Sequence, residues 1–191
     1  MSETTCSNTT NESTEETIDL KKEDNLCKQL RKINLTLNSQ ISISLLNLIS
    51  ENKLKKNYNE FLKKQKNCCF NLKKIANISL GDFIYRILYY SKIEDSTLIS
   101  ALIYLDRYCK KQKIILTEYN IHRLFFICVI VAIKFLEDKY FTNVFYSKIC
   151  GVKIGILNKM EYEFVCGINF DLYIDKSLYY KYENLLVNSN N

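Results

Sequence analysis

The chain has 191 residues, a formal net charge of +6, no proline and only four glycines. Hydrophobic residues make up 47% of it and aromatic residues 13%, a composition that is typical of a folded domain and excludes a wholly disordered chain. Because proline and glycine favour turns, their scarcity favours long helices over turn-rich sheets. The length suits one domain with a single core and some tail.

The charge is spread unevenly over the first 76 residues. Residues 1–19 carry five acids and no base, whereas residues 20–76 carry thirteen bases against four acids. Residues 1–24 are polar and nearly free of large apolar side chains, so we predict that they are disordered. The basic stretch fits solvated helix faces better than a nucleic-acid arm, because its lysines lie among apolar residues without enrichment in Arg or Gly.

Helical spacing of apolar residues begins at about Leu37, in ISISLLNLISENKLKK, and predicts a first helix against the main bundle. The spacing weakens between Asn57 and Ala76, which we expect to form a connection with Phe70 as one anchor. Ser79 followed by Asp82 has the spacing of a capping box and predicts the start of the next helix.

The central prediction is a helix that contains ten consecutive apolar residues, 124–133. Ten residues cannot span a bilayer, which needs about 20, so this helix must be enclosed by other helices. Asp95 or Ser96 can cap the helix before it, and we expect Thr117 to cap the apolar helix itself. Lys134 interrupts the apolar run, and a lysine at such a position needs a partner.

Three more helices are predicted towards the C-terminus: a short one from Asn143 that ends at Gly151, one over residues 154–167, and one over about residues 176–187. From Ser79 onwards, five helices fall within about 90 residues. The predicted fold is therefore all-α, a five-helix bundle with one extra N-terminal helix and one C-terminal helix.

The residues that could carry chemistry match no enzyme or metal signature. His122 is the only histidine, and none of the eight cysteines forms Cys-x-x-Cys, so a zinc site lacks ligand spacing and variety. A phosphate-binding glycine loop and a nucleophile elbow are missing, and Glu161 and Glu163 point to different sides of a helix. We expect a protein without catalytic residues, cofactor or metal, which acts through its surface in a reduced intracellular compartment.

Five separate groups of residues carry a family resemblance. They are Leu105-Asp106-Arg107-Tyr108, Asn120-Ile121-His122-Arg123-Leu124, Ala132-Ile133-Lys134-Phe135-Leu136-Glu137-Asp138, Asn143 with Tyr146, and Leu157-Asn158-x-Met160-Glu161 followed by Asn169-Phe170. Their order and spacing resemble the cyclin box, and the variant is similar to the P-type or U-type single-box cyclins, which resemble those of the phosphate pathway. The match covers about residues 37–174.

The resemblance implies a domain layout and a role. Residues 1–36 would form a disordered acidic and polar tail, residues 37–187 the cyclin domain with its box core at about 78–170, and residues 188–191 a C-terminal tail. The implied role is a regulatory subunit of a cyclin-dependent Ser/Thr protein kinase, with which the chain would form a heterodimer. We expect this role in the nucleus and/or the cytoplasm and in the cell cycle, with no small-molecule substrate and no membrane partner.

The resemblance also implies which residues contact the kinase. In the family a Lys that ends the third box helix and a Glu of the fifth do so together, and these positions match Lys134 and Glu161. The residues alone favour an internal salt bridge or two solvated charges, and both roles can coexist. Phe135, Val165 and Phe170 lie at or beside positions that resemble the apolar kinase-facing surface, where ordinary core packing is an equal alternative.

Other positions imply structure or depart from the family. Arg86 and Asp106 resemble a structural ion pair between the first two box helices. The first box helix reads LGDFIYRIL over residues 80–88 in place of a Met-Arg-Ala-Ile-Leu patch, so patch-type substrate docking is not expected. An alternative function is a cyclin-fold module that binds nucleic acid or a transcription complex, because cyclin-like boxes also occur in such proteins and residues 20–76 are basic.

Overall fold

The computed structural model describes residues 25–65 and 68–188, with side chains described over residues 37–65 and 68–186. These residues form eight helices and no strand. The helices are α1 (Asn25–Lys53), α2 (Tyr58–Gln65), α3 (Leu80–Ser91), α4 (Asp95–Gln112), α5 (Ile121–Leu136), α6 (Asn143–Cys150), α7 (Ile154–Gly167) and α8 (Lys176–Asn188). The all-α prediction is confirmed: α3 to α7 are the five-helix bundle, and α1 and α8 are the extra helices.

Helix α5 lies at the centre of this bundle. Each residue from 124 to 133 has at most 3% of its surface exposed, as the apolar run predicted. Helices α3, α4, α6 and α7 all pack against it. Within the described ranges, no helix is both long and apolar enough to cross a membrane.

The N-terminal part differs from the prediction in two places. Helix α1 begins at Asn25 and not at about Leu37, so residues 25–36 are helical and do not belong to a disordered tail. The disorder predicted for residues 1–24 concerns a segment outside the described residues. Helix α2 lies inside the predicted connection, where its pattern was weak because Gln65 is its only buried residue.

The predicted start of α3 is confirmed. The hydroxyl of Ser79 accepts a hydrogen bond from the backbone N–H of Asp82 at 3.1 Å and donates to the Asp82 carboxylate at 2.6 Å. The prediction that Thr117 caps α5 is wrong, since Asn120 is the residue that precedes this helix. The Asn120 side chain accepts from the Thr117 N–H at 2.9 Å, so residues 117–120 form a separate turn.

The start of α4 is capped from a distant part of the chain. Neither Asp95 nor Ser96 caps it, because the helix is preceded by Glu94, whose side chain makes no capping bond. The carboxylate of Glu137, at the end of α5, accepts from the Glu94 N–H at 3.4 Å and from the Thr97 hydroxyl at 2.5 Å. One carboxylate thus joins the end of α5 to the start of α4.

Close packing of α7 against α4 depends on a glycine. A Cβ atom at Gly167 would lie 2.5 Å from the Tyr108 ring, whereas a Cβ at Gly155 would meet nothing within 4 Å. The Tyr108 ring cannot easily move away, because it stacks on Phe164 with 4.9 Å between the ring centroids. Close packing therefore requires a glycine at position 167 but not at position 155.

We expect Gly167→Ala to lower the free energy of unfolding by about 1 to 3 kcal/mol, because the new methyl group overpacks the contact with Tyr108. Gly155→Ala is the matched control, and it should leave stability unchanged or raise it by up to about 1 kcal/mol through better helix propensity. Urea denaturation followed by circular dichroism measures both. Equal effects of the two substitutions would contradict this account of the packing.

Candidate functional site

The Lys134 ammonium and the Glu161 carboxylate meet where α5 and α7 come together. Lys134 Nζ lies 2.5 Å from Glu161 Oε1, and the two side chains are 26% and 20% exposed. The lysine that interrupts the apolar run therefore has its partner, and the internal salt bridge considered from the residues alone is present. A pair that remains partly exposed can still offer charge to another molecule.

Asn143, the first residue of α6, joins this pair into a network. Its amide oxygen accepts from Lys134 Nζ at 2.8 Å, while its amide nitrogen donates to Glu161 Oε2 at 2.7 Å and to the Asn158 side-chain oxygen at 2.8 Å. The two charges are thus held by α5, α6 and α7 together. The sequence motifs contain both asparagines, but only the packed structure brings them to the pair.

Apolar side chains are exposed directly after Lys134 in the sequence and in the turn after α7. Phe135 and Leu136 follow Lys134 at the end of α5 and are 52% and 47% exposed, and Phe170 is 70% exposed. Val165 is partly buried against the core. Core packing is therefore the reading that fits Val165, whereas Phe135 and Phe170 are surface residues.

Phe170 is held in an unusual backbone conformation. Both Asn169 and Phe170 have φ near +57°, a left-handed region that costs a residue with a bulky side chain about 1 to 2 kcal/mol. The Phe170 N–H donates to the Val165 carbonyl at 3.0 Å, which ties the turn to the last part of α7. Strain of this kind occurs often at functional positions.

Basic residues of α4 anchor this turn. The Asp171 carboxylate lies 3.2 Å from Arg107 and 3.0 Å from Lys111. Arg107 also donates to the carbonyls of Asp171 and Tyr173, and Lys111 to that of Ile168. The hydrogen bond from Lys111, with the charge of Arg107, lowers the pKa of Asp171. The anchoring residue of the Leu-Asp-Arg-Tyr motif is therefore its arginine.

The predicted ion pair between Arg86 and Asp106 is not formed among the described residues. Arg86 points to α6, where it donates to the Lys148 carbonyl at 3.5 Å. The Asp106 carboxylate accepts from Lys110 and from the Tyr182 hydroxyl, each at 2.6 Å. Asp106 thus holds α8, an element whose position could not be inferred from the motif.

Part of the basic N-terminal region is neutralised within the fold. Lys53 lies 2.7 Å from Glu118, and Lys64 lies 2.8 Å from Glu60. These contacts fit the interpretation of the lysines as solvated helix faces.

Six cysteines with described side chains are free thiols: Cys68, Cys69, Cys109, Cys128, Cys150 and Cys166. Burial raises the pKa of Cys109 to about 12 and that of Cys150 to about 11, as fits small core residues. Cys68 differs, because the hydrogen bond with the Cys69 thiol lowers the pKa of Cys68 and raises that of Cys69. Within the described residues, no three His, Cys, Asp or Glu side chains are placed to bind a metal ion.

The partly buried ion pair should couple more strongly than an exposed one. A double-mutant cycle with Lys134→Ala and Glu161→Ala, measured by urea unfolding, is expected to give a coupling energy of about 1 to 2 kcal/mol. The matched cycle at Lys64 and Glu60, whose side chains are 70% and 61% exposed, should give a coupling near zero. Similar small coupling energies at both pairs would indicate that Lys134 and Glu161 behave as two solvated charges.

The thiols should differ in reactivity in the same order as their pKa values. Because the thiolate is the nucleophile, iodoacetamide at neutral pH should modify Cys68 faster than Cys109 and Cys150. Peptide mass spectrometry after timed quenching gives each rate. Cys69→Ala should slow alkylation of Cys68, since it removes the hydrogen bond that lowers the pKa of Cys68. An unchanged rate would mean that Cys69 has no such effect.

Comparison with known proteins agrees with the motifs. The cyclin family model matches residues 4–172. Cyclin-U4-2 of Arabidopsis thaliana is 37% identical over 114 residues, which are 59% of this chain and 53% of that protein. Cyclin-P3-1 of Oryza sativa subsp. japonica is 29% identical over 119 residues, 62% of this chain and 50% of that protein. The chain spans about half the length of the curated relatives it matches. The resemblance to U-type and P-type cyclins is confirmed, and the chain belongs to the cyclin family.

Proposed function

We propose that this chain is the regulatory subunit of a cyclin-dependent Ser/Thr protein kinase and that it binds the kinase through the surface around Lys134 and Glu161. The observation that carries the proposal is the position of this ion pair. It lies at the end of a helix that is otherwise enclosed, and exposed aromatic and aliphatic residues follow it directly. We place this role in the nucleus and/or the cytoplasm.

The ion pair has bonding capacity left for a partner. A lysine ammonium has three N–H donors, and within the described residues Lys134 donates to Glu161 and Asn143 only. A carboxylate has about four lone-pair sites, of which Glu161 uses one for Lys134 and one for Asn143. The internal network therefore fixes the direction of both side chains and leaves a donor and acceptors for backbone groups of a kinase.

Exposed apolar residues after Lys134 and in the turn after α7 supply the apolar part of the proposed interface. Phe135, Leu136 and Phe170 are each about half exposed or more. Specific interfaces bury large aromatic side chains at their centre and keep polar groups where these can be satisfied. The left-handed turn supports the assignment of Phe170, because its cost is retained where a side chain must be presented.

The proposed mechanism needs no catalytic group in this chain. A protein kinase is active only when the glutamate of its αC-helix pairs with the lysine of strand β3. A rigid surface that binds the active arrangement more tightly than the inactive one shifts the population towards activity. A preference of about 4 kcal/mol corresponds to a shift of roughly a thousandfold.

A charge exchange separates the internal role of the pair from its binding role. Lys134→Glu with Glu161→Lys keeps opposite charges in contact and should retain the fold, but it reverses the charges offered to the kinase. We expect affinity capture of the tagged chain from its own cells to recover a kinase. The exchanged variant should recover at least tenfold less kinase than the parent chain. Circular dichroism checks that this variant is folded.

Exchange of the exposed pair, Lys64→Glu with Glu60→Lys, is the matched control and should recover as much kinase as the parent chain. Equal recovery with the Lys134 and Glu161 exchange would place the kinase on another surface. Recovery of no kinase with any variant would reject the regulatory role. Nucleic-acid binding that falls steeply with salt would then favour the alternative module.

A further inference from the structure

A groove lies between α1, α4 and α8, and it shares no residue with the surface around Lys134. Its volume is about 430 Å³. The residues that line it include Leu45 and Leu48 of α1, Leu102 and Leu105 of α4, and Leu185 of α8. Three helices that are distant in sequence thus supply one aliphatic wall.

The groove leaves aliphatic side chains open to solvent. Leu48 and Leu185 are 41% and 60% exposed, whereas Leu45 and Leu105, which also line the groove, are buried. Pockets that bind small molecules have volumes of about 300 to 1,000 Å³ and mainly apolar walls with a few polar groups, and this groove fits that description.

The two lysines that line the groove, Lys55 and Lys110, differ in their partners. Lys110 is already paired with Asp106 at 2.6 Å, and Asp106 also accepts from Tyr182. Lys55 has no carboxylate partner in the part of the chain that the structure describes. Its ammonium donates to the side-chain oxygen of Asn52 at 2.6 Å, and Asn52 in turn donates to the Leu116 carbonyl at 3.1 Å.

The Lys55 ammonium is therefore positioned by a buried asparagine and carries a charge that no described acid neutralises. Asn52 is only 3% exposed, so its amide is fixed within the fold. A lysine beside an aliphatic wall suits a ligand with a long apolar body and one anionic end, because each part of the ligand then meets its complement.

We infer that this groove binds a medium-chain aliphatic carboxylate, with the chain along the leucines and the carboxylate on Lys55. The volume of about 430 Å³ accommodates a single aliphatic chain. This inference does not depend on the proposed kinase role.

The test is isothermal titration of the full chain with hexanoate, octanoate and decanoate, and with decanol as the uncharged match of decanoate. We expect saturable binding at one site, with affinity rising about three- to fourfold for each added methylene group. Decanol should bind several-fold more weakly than decanoate. Binding that does not saturate, or that does not depend on chain length, would overturn the inference.

Two pairs of variants locate the site. Ser44→Phe places a ring at the exposed edge of the groove and should weaken decanoate at least tenfold, whereas Ser50→Phe, on the same helix but outside the groove, should not. Lys55→Gln should weaken decanoate about three- to tenfold without affecting decanol, and Lys56→Gln should change neither. Circular dichroism confirms folding of each variant. Unchanged binding by Ser44→Phe or by Lys55→Gln would contradict the assigned position.

Discussion

Enclosure of α5 is the constraint on which the rest of the structure depends. A helix that is apolar on every side cannot be left facing water, so four other helices of the bundle must cover it. The same burial determines where charge can appear, because a charged residue along the helix would need a buried partner. Lys134 stands at the end of the enclosed part, where its ammonium reaches both Glu161 and the surface.

The ends of α5 connect its burial to the neighbouring elements. The Glu137 carboxylate accepts a hydrogen bond from the Thr97 hydroxyl at the start of α4. The His122 ring lies 3.1 Å from the Ile78 carbonyl just before α3. Burial lowers the pKa of His122, so its neutral form is favoured, as suits a structural histidine. Glu137 and His122, two residues of the family motifs, therefore hold neighbouring helices together.

What could be predicted from the sequence was mostly local. The apolar run predicted the central helix, and the Ser79 capping box and the limits of α7 depend only on neighbouring residues. Contacts between residues that are far apart in the sequence were harder to predict. Asp106 pairs with Lys110 and Tyr182, and not with Arg86, because its partner depends on where α8 packs. The aliphatic groove arises from three separate helices, and no single segment indicates it.

The turn after α7 has a consequence for how this protein can change. Glycine would relieve the left-handed backbone at position 170, but it would also remove the aromatic side chain that the turn displays. Stability and the proposed binding role of Phe170 thus favour different residues at this position. A search for stabilising substitutions would select against Phe170, and it would yield a more stable protein that lacks this side chain.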